Sequence, residues 1–331
     1  MNKIHIRFFS TLAVMAFFIN ACAGGNPFRA NDKVNVQLSW FPSVEYAGFY
    51  AAIDQGYYAD ENIDVTLTSG DPTIDVLNEV DSGNAQFGIS TGDSLIIARA
   101  KQQNFLAVAT IFRKSPLVVF SLQEEGIEKP SDLNGKKVGV ISPDLSTTWD
   151  VQFLALLQSM GIDRNNLNFS TIEDYHGANE LTSGNLDAMS GMFATNEPVM
   201  ANMEGNELNL IYYQDYGVNV YANTLFVSEE LAQSNPDLIS RFVKATLRGY
   251  QFAIENPEAI AVLALNYDET LDLTFQQEVM KAQIPFIDTG DAPIGSMDES
   301  VWNSTQKILL DFGLISAPID LNLVFTNKFI P

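Results

Sequence analysis

The sequence predicts an α/β protein built from two similar lobes, and three observations favour this architecture. The 331 residues suffice for two domains, and 46% hydrophobic with 18% charged residues is typical of a folded globular chain. Short strands and helices alternate from Val34 onward. The pattern starts again after residues 130–133, and the Ser-Gly-Asn junction at 82–84 recurs at 183–185. We therefore expect two lobes rather than one long sheet.

The first half alternates strands with helices. Val34, Val36, Leu38 and Trp40 alternate with polar residues, as a half-buried strand does. Further strands are predicted at 63–67, 85–89, 106–111 and 117–122. Helices are predicted at 47–55, 73–82 and 93–100. Asp93 is suited to cap the last of these helices.

The second half repeats the alternation and then becomes mainly helical. Strands are predicted at 137–141, 167–170 and 223–228. Helices are predicted at 147–160, from 196 onward, and at 236–255, 257–267, 273–283 and 297–312. Gly161 fits the end of one helix, while Pro236 and Pro257 stand where the first turn of a helix tolerates proline.

The first 21 residues have the features of a secretion signal. Lys3 and Arg7 precede the apolar stretch 8–19, which is shorter than the roughly 20 residues of a membrane-spanning helix. The four residues Ile-Asn-Ala-Cys at 19–22 resemble a bacterial lipobox, in which Cys22 is lipidated.

The Asn of this lipobox-like sequence, Asn20, departs from the usual small or aliphatic residue, so a plain secretion signal remains the alternative. Residues 22–33 are predicted to form a flexible tether. We therefore expect an exported protein, anchored through Cys22 to the extracytoplasmic face of the cell membrane.

Composition excludes several classes of function. Loss of the two basic residues in the signal leaves 16 basic and 41 acidic residues, a net charge of −25, which repels nucleic acids and anionic lipids. Cys22 is the only cysteine, so the mature chain has neither a disulfide nor a cysteine metal site. With His176 as its one histidine, no catalytic Ser-His-Asp or Cys-His arrangement is indicated.

A series of short motifs occurs in order along most of the mature chain. They lie at 38–42, 45–50, 56–58, 113–116, 132–139, 195–198, 215–218, 223–226 and 241–246. Together they resemble bacterial binding proteins for thiamine-pyrimidine precursors, which share ancestry with the fungal thiamine pyrimidine synthase. The motifs Thr-Asn-Glu-Pro at 195–198 and Asp-Tyr-Gly-Val at 215–218 also resemble riboflavin-binding relatives, so the ligand stays open between these classes.

The resemblance implies a two-lobed periplasmic-binding-protein fold of the second type, with the ligand in the cleft between the lobes. Lobe one is expected at 34–122 and 220–331, and lobe two at 123–219. The implied function is that of a monomeric solute-binding lipoprotein that delivers a vitamin-related heterocycle to an ABC permease, without a cofactor. A formylaminopyrimidine-like thiamine precursor is the expected ligand, and riboflavin is the alternative.

An enzyme like the fungal synthase is the second alternative function. By resemblance, the synthases carry a cysteine-rich motif and a pyridoxal-phosphate site. This chain has no such cysteines, so the synthase chemistry is not expected.

Candidate ligand-binding residues lie at the predicted junctions between strands and helices. They are Trp40, Glu45, Tyr46, Ser90, Thr91, Asp93, Ser142, Asn196, Glu197, Asp215, Tyr216 and Asn223. Trp40 and Tyr46 offer rings on which a planar heterocycle can stack. Glu197 offers a carboxylate to an amine or imide N–H, by its place in the resembling motif. Asn196 and Asp93 have a simpler alternative role, because both residue types cap helices.

Overall fold

Two five-stranded sheets organise the part of the chain that the computed structural model describes, residues 31–71 and 73–331. The strands are β1 (Asp32–Gln37), β2 (Ile63–Thr68), β3 (Phe87–Ser90), β4 (Phe105–Phe112), β5 (Leu117–Leu122), β6 (Lys137–Val140), β7 (Asn168–Thr171), β8 (Ala188–Phe193), β9 (Leu208–Tyr212) and β10 (Ala222–Ser228). The predictions of a signal at 1–21 and of lipidation at Cys22 lie outside the described residues.

The first sheet has the strand order β2-β1-β3-β10-β4, and the second has the order β7-β6-β8-β5-β9. In each sheet one strand runs antiparallel to both neighbours: β10 between β3 and β4, and β5 between β8 and β9. The other pairings are parallel. The two sheets therefore share one topology, as the repeated sequence pattern predicted.

The strand Leu117–Leu122 has the predicted bounds but lies in the second sheet. Val119 pairs with Ser190 of β8 and with Ile211 of β9. The division between the sheets thus falls between β4 and β5, one strand earlier than the predicted lobe boundary at residue 122. The pattern of apolar residues identified the strand, but pairing partners decide to which sheet it belongs.

The helices cover both sheets. They are α1 (Ala47–Asp54), α2 (Tyr57–Asp60), α3 (Val76–Asp81), α4 (Gly92–Ala100), α5 (Thr148–Ser159), α6 (Asn179–Thr182), α7 (Glu197–Met203), α8 (Glu229–Ser234), α9 (Pro236–Glu255), α10 (Pro257–Ala264), α11 (Leu273–Ile287) and α12 (Glu299–Asp311). None of the helices within 31–71 and 73–331 combines the length and the apolar composition needed to cross a membrane.

The end of one strand and the start of one helix differ from the sequence predictions. Strand β1 ends at Gln37, so Trp40 lies in the following loop. In that loop the backbone N–H of Trp40 donates to the Tyr46 hydroxyl at 2.9 Å instead of to a neighbouring strand. Helix α4 begins at Gly92 with Thr91 as its N-cap residue. Asp93 therefore lies inside the first turn and does not occupy the cap position that its residue type suggested.

One cluster of buried apolar residues extends from the first sheet into the second. Phe87 of β3 stacks on Phe242 of α9 with ring centroids 3.9 Å apart. Phe120 and Met189, from the second sheet, belong to the same cluster. Helix α11, on the side of the first sheet, packs against α7, which follows β8. The two sheets are thus joined by apolar packing as well as by the chain crossings.

Helices α1 and α9 approach so closely that glycine is required at the contact. A Cβ atom at Gly48 would lie 2.1 Å from Cδ2 of Tyr250, and one at Gly249 would lie 2.0 Å from the carbonyl oxygen of Gly48. Since real Cβ contacts are never this short, any larger residue would push the helices apart. This contact fixes α1, and with it the preceding turn that carries Glu45.

Candidate ligand-binding site

The short 3₁₀ turn Val44–Tyr46 holds Glu45 in a fixed place. Ser43 caps this turn. Two buried glutamines of α11 satisfy the backbone of Val44: its N–H donates to Gln276 at 2.9 Å, and its carbonyl accepts from Gln283 at 2.8 Å. Because unpaired buried backbone groups are costly, these two contacts lock the turn. Nothing in the sequence pattern pointed to this pair of glutamines, which lie more than 200 residues further along the chain.

Asn223 contacts Glu45 from the start of β10. Its Nδ2 donates to Oε1 of Glu45 at 2.6 Å. Asn223 is buried and has a φ of +50°, in the left-handed region. This conformation costs a non-glycine residue about 1–2 kcal/mol, although Asn tolerates it better than most. Backbone strain of this kind is concentrated at functional sites. The structure therefore brings together two of the predicted ligand residues.

Glu197 lies near Glu45 but belongs to the second lobe. It is the first residue of α7, directly after β8. Burial, with the nearby charge of Glu45 as a smaller cause, raises the pKa of the Glu197 carboxyl from 4.5 to about 7, while backbone N–H groups partly oppose this rise. Burial likewise raises the pKa of Glu45. Burial thus shifts both carboxyl groups toward their protonated forms.

Asn196 occupies the N-cap position before Glu197, but its side chain makes no capping hydrogen bond. The simple alternative, that Asn196 serves as a side-chain cap, is thus wrong. Tyr175 is also close to Glu197, since the charges of Asp150 and Glu197 contribute, after burial, to the raised pKa of its hydroxyl. Tyr175 is exposed and was not among the predicted residues.

An aromatic pair lies beside Glu197. Trp149, in the first turn of α5, stacks on Phe193 with ring centroids 5.5 Å apart and an interplanar angle of 27°. Phe193 ends β8, and its backbone N–H hydrogen bonds to the Glu197 carboxyl. Phe193 also meets Phe112 of β4 edge to face, at 6.3 Å. Neither Trp149 nor Phe193 was predicted, although Trp149 follows a strand-to-helix loop as Trp40 does.

Trp40 and Tyr46 have different roles. Tyr46 is 1% exposed, and its hydroxyl accepts the N–H of Trp40 and hydrogen bonds to Ser39 at 3.0 Å. It therefore shapes the loop, and its ring, which was predicted to stack on ligand, is buried in the core. The Trp40 indole is 48% exposed and contacts Phe41 edge to face at 5.5 Å. About half of the Trp40 side chain is thus exposed, whereas the Tyr46 ring is not.

The predicted residues after β3 bind one another. Thr91 donates to Asp93 and hydrogen bonds to Ser94 at 2.8 Å, and the Ser94 N–H also donates to Asp93 at 2.8 Å. The other Asp93 oxygen accepts from Gln152 of α5 at 2.9 Å. The Asp93 carboxylate is therefore occupied by protein donors. Ser90 pairs in register with Thr224 of β10, at the end of the strand.

The loop that contains Ser142 is held by the buried Asp150. Its carboxylate accepts from the N–H groups of Ile141 and Ser142, at 2.9 and 3.0 Å, and from the Thr147 hydroxyl at 2.6 Å. The Ser142 hydroxyl donates to Asp144 at 2.5 Å. Ser142 thus belongs to a rigid loop that sets the position of Trp149.

Asp215 and Tyr216 are not brought to the Glu45–Glu197 pair. Asp215 is exposed in the 3₁₀ turn Tyr213–Tyr216, and Tyr216 packs against the apolar cluster of the second sheet. Their motif marks the return crossing to the first sheet, a feature of the fold.

A model of the family described as NMT1/THI5 like matches residues 43–260, about two thirds of the chain. The chain belongs to the NMT1/THI5-like family. It is 28% identical to the riboflavin-binding protein RibY of Chloroflexus aurantiacus, over 91% of this chain and 86% of that protein. It is also 28% identical to the formylaminopyrimidine-binding protein of Halalkalibacterium halodurans, over 90% and 91%.

Other relatives in sequence are named as enzymes. The 4-amino-5-hydroxymethyl-2-methylpyrimidine phosphate synthase of Legionella pneumophila is 22% identical, over 91% of this chain and 93% of that protein. Relatives of this chain are thus named both as binding proteins and as a pyrimidine phosphate synthase.

Solved structures confirm the two-lobed α/β fold. The periplasmic aliphatic sulphonate binding protein SsuA of Escherichia coli matches with a TM-score of 0.69 at 13% identity, over 88% of this chain and 91% of that one. The desulfurization enzyme DSZB matches with a TM-score of 0.62 at 15% identity, over 90% and 97%. Because both binding proteins and an enzyme have this fold, the fold alone does not decide activity.

Proposed function

We propose that this NMT1/THI5-like protein is the solute-binding component of an ABC importer and that it captures an aminopyrimidine related to formylaminopyrimidine. The observation that carries the proposal is that two carboxyl groups, Glu45 of the first lobe and Glu197 of the second, lie near enough for their charges to interact, with the Trp149–Phe193 stack next to Glu197. Relatives named as binding proteins for formylaminopyrimidine and riboflavin cover about nine tenths of the chain.

The hydrogen-bonding edge of an aminopyrimidine complements a pair of carboxyl groups of which one is neutral and one is ionised. The exocyclic amine donates to an ionised carboxylate, and the neighbouring ring nitrogen accepts from a neutral carboxyl. In the low dielectric of a closed cleft, each unmet hydrogen bond costs about 1–3 kcal/mol, so the match discriminates strongly. Burial raises the pKa of both Glu45 and Glu197, and so favours a neutral carboxyl that can donate to the ring nitrogen.

Riboflavin is the second candidate ligand because of the relative RibY. The flavin edge presents one N–H between two carbonyl oxygens. Facing Glu45 and Glu197, at least one flavin carbonyl meets a carboxylate oxygen, which is repulsive unless another donor intervenes. The carboxyl pair therefore favours the aminopyrimidine.

Aromatic rings supply the second part of the recognition. Trp149 and Phe193 lie next to Glu197, and the exposed indole of Trp40 follows β1 in the first sheet. Each well-stacked ring adds about 0.5–1.5 kcal/mol beyond the burial of apolar surface. A planar heterocycle bound at the carboxyl pair thus has an aromatic neighbour within the same site.

Catalysis forms no part of the proposed function. Cys22 is the only cysteine of the chain, whereas the synthases are expected to use a cysteine-rich motif and pyridoxal phosphate. Purified protein mixed with pyridoxal phosphate should therefore show no stable Schiff-base absorbance. A persistent band near that of an internal aldimine would favour the enzyme alternative.

The proposal extends to the setting of the protein. A secretion signal at 1–21 and a lipidated Cys22 would place the chain on the extracytoplasmic face of the cell membrane, next to the permease. The protein would act there as a monomer with one small-molecule ligand and no cofactor, and its strongly negative charge argues against a nucleic-acid partner.

The proposed function is tested by direct binding. Calorimetric titration with formylaminopyrimidine and with riboflavin should show tighter binding of the pyrimidine, and mass spectrometry of molecules released from denatured protein should find a pyrimidine. Glu197→Gln should weaken pyrimidine binding at least about tenfold, or 1.4 kcal/mol. The matched control is Glu128→Gln, which removes an exposed carboxylate from the loop between β5 and β6 of the same lobe. Normal pyrimidine binding by Glu197→Gln would mean that the site is misplaced.

A further inference from the structure

Helix α5 reaches from the second sheet to the first through two side chains one turn apart. Gln152 donates from Nε2 to Oδ2 of Asp93 at 2.9 Å, and the Thr148 side chain is a further hydrogen-bond partner of the same carboxyl. Residues four apart on a helix lie on one face, so both contacts come from a single face of α5. Asp93 lies in α4, which follows β3 of the first sheet.

These contacts are buried where the two lobes meet. Asp93 is 2% exposed and Gln152 is 3% exposed. Oε1 of Gln152 is buried without a hydrogen-bond partner among the described residues. A buried unmet acceptor costs about 1–3 kcal/mol, so core packing alone gives no reason for a glutamine here. We therefore attribute the glutamine at position 152 to its amide N–H group, which donates to Asp93.

The same turn of α5 connects the Asp93 contact with the ligand site. Between Thr148 and Gln152 lie Trp149, which stacks on Phe193, and Asp150, which holds the loop before the helix. Any rotation of α5 that moves Trp149 therefore also moves Gln152 relative to Asp93. Ligand stacking and the contact between the lobes are mechanically linked through one rigid helix end.

We propose that Thr148 and Gln152 are positioning residues that, with Asp93, form an interlobe clamp: they hold the lobes closed around the ligand without touching it. The free energy of the clamp adds to that of ligand contacts, because both are made only in the closed form. The ligand readout of this inference rests on the proposed function, whereas the closure readout does not.

The clamp is tested by changing, and then reversing, the donor and acceptor of the Gln152–Asp93 hydrogen bond. Gln152→Glu places a second carboxylate against Asp93 and should open the ligand-free protein, which small-angle X-ray scattering detects as a larger radius of gyration. It should also weaken formylaminopyrimidine binding at least about tenfold. The double variant Asp93→Asn with Gln152→Glu reverses donor and acceptor, while Asn Oδ1 still accepts from Thr91 and Ser94. It should restore both the wild-type radius and most of the affinity.

The outcomes separate the clamp from a general structural role and from the ligand assignment. If Gln152→Glu scatters and binds like wild type, or if the double variant restores neither property, the clamp is refuted. If wild type fails to bind formylaminopyrimidine, the proposed ligand is wrong, and the scattering of the three proteins still decides the clamp. Should Gln152→Glu not fold, Gln152→Met keeps the volume, and an unchanged radius and affinity in that variant would overturn the proposal.

Discussion

Titration of the Glu197 carboxyl should change the free energy of unfolding of the whole protein. Burial raises its pKa in the folded state from 4.5 to about 7, so protonation favours folding. This contribution is fully present below about pH 4.5 and is lost as the pH rises through about 7.

From pH 5 to pH 8, the free energy of unfolding of ligand-free wild type should therefore fall more than that of Glu197→Gln. Denaturant titrations at both pH values measure the difference, with Glu128→Gln as the control that keeps the wild-type dependence. Parallel pH dependences of wild type and Glu197→Gln would contradict the raised pKa.

Asn223 combines a strained backbone with a contact to Glu45, and a second asparagine allows the two effects to be separated. Asn62 has a similar φ, +56°, but is exposed. Asn62→Ala should lower the free energy of unfolding by about 1 kcal/mol through backbone strain. Asn223→Ala should cost about 1–3 kcal/mol more, because it also leaves a buried partner unpaired. Equal losses in the two variants would show that the Glu45 contact contributes nothing.

At the level of single residues, the motifs singled out polar residues of the proposed site and missed most of its aromatic residues. Glu197 and Asn223 were predicted by their motifs, and the structure brings both to Glu45. Trp149 and Gln152 lie on a helix whose polar and aromatic residues look like ordinary surface and core positions. Their importance depends on what they face across the lobes, which no local pattern encodes.

At the level of elements, local signals fixed helix bounds well where capping chemistry was clear. Helix α9 begins and ends as predicted, because Asn235 caps it and Pro236 occupies its first position. Helix α11 continues past the predicted end at 283 through Pro285 to Ile287. The sheet membership of β5 was missed because alternation identifies a strand and not its partners. Long-range pairing is the information that periodicity lacks.

The loop before α5 should depend on Asp150 far more than on its neighbour Asp144. Asp150 is buried and accepts two backbone N–H groups, whereas Asp144 is exposed. Asp150→Asn turns one acceptor into a donor that faces an N–H, and should lower the free energy of unfolding by about 1–3 kcal/mol. Asp144→Asn should change it by less than about 0.5 kcal/mol. Chemical denaturation measures the free energy of unfolding of both variants. If Asp150→Asn loses as little as Asp144→Asn, the loop does not depend on the Asp150 hydrogen bonds.

At the level of the whole molecule, the anchor and the lobes should be separable. If Cys22 carries the lipid, Cys22→Ala should release the protein from the membrane fraction of the cell, while the purified variant keeps the melting temperature of wild type. Immunoblots of membrane and soluble fractions measure retention. Equal membrane recovery of both proteins would refute lipidation at this residue.

Closure of two lobes on one ligand should stabilise the entire fold. A ligand that binds only the folded state adds about 2.7 kcal/mol at a hundredfold excess over its dissociation constant, which corresponds to a rise in melting temperature of roughly 5 °C for a chain of this size. Formylaminopyrimidine should produce this rise, and riboflavin at the same concentration should produce less, because its carbonyl oxygens face the Glu45–Glu197 pair. Trp149→Ala should lose much of the shift at a fixed ligand concentration, since it removes the stacking face. A larger shift with riboflavin would reverse the ligand assignment, and no shift with either compound would remove both candidates.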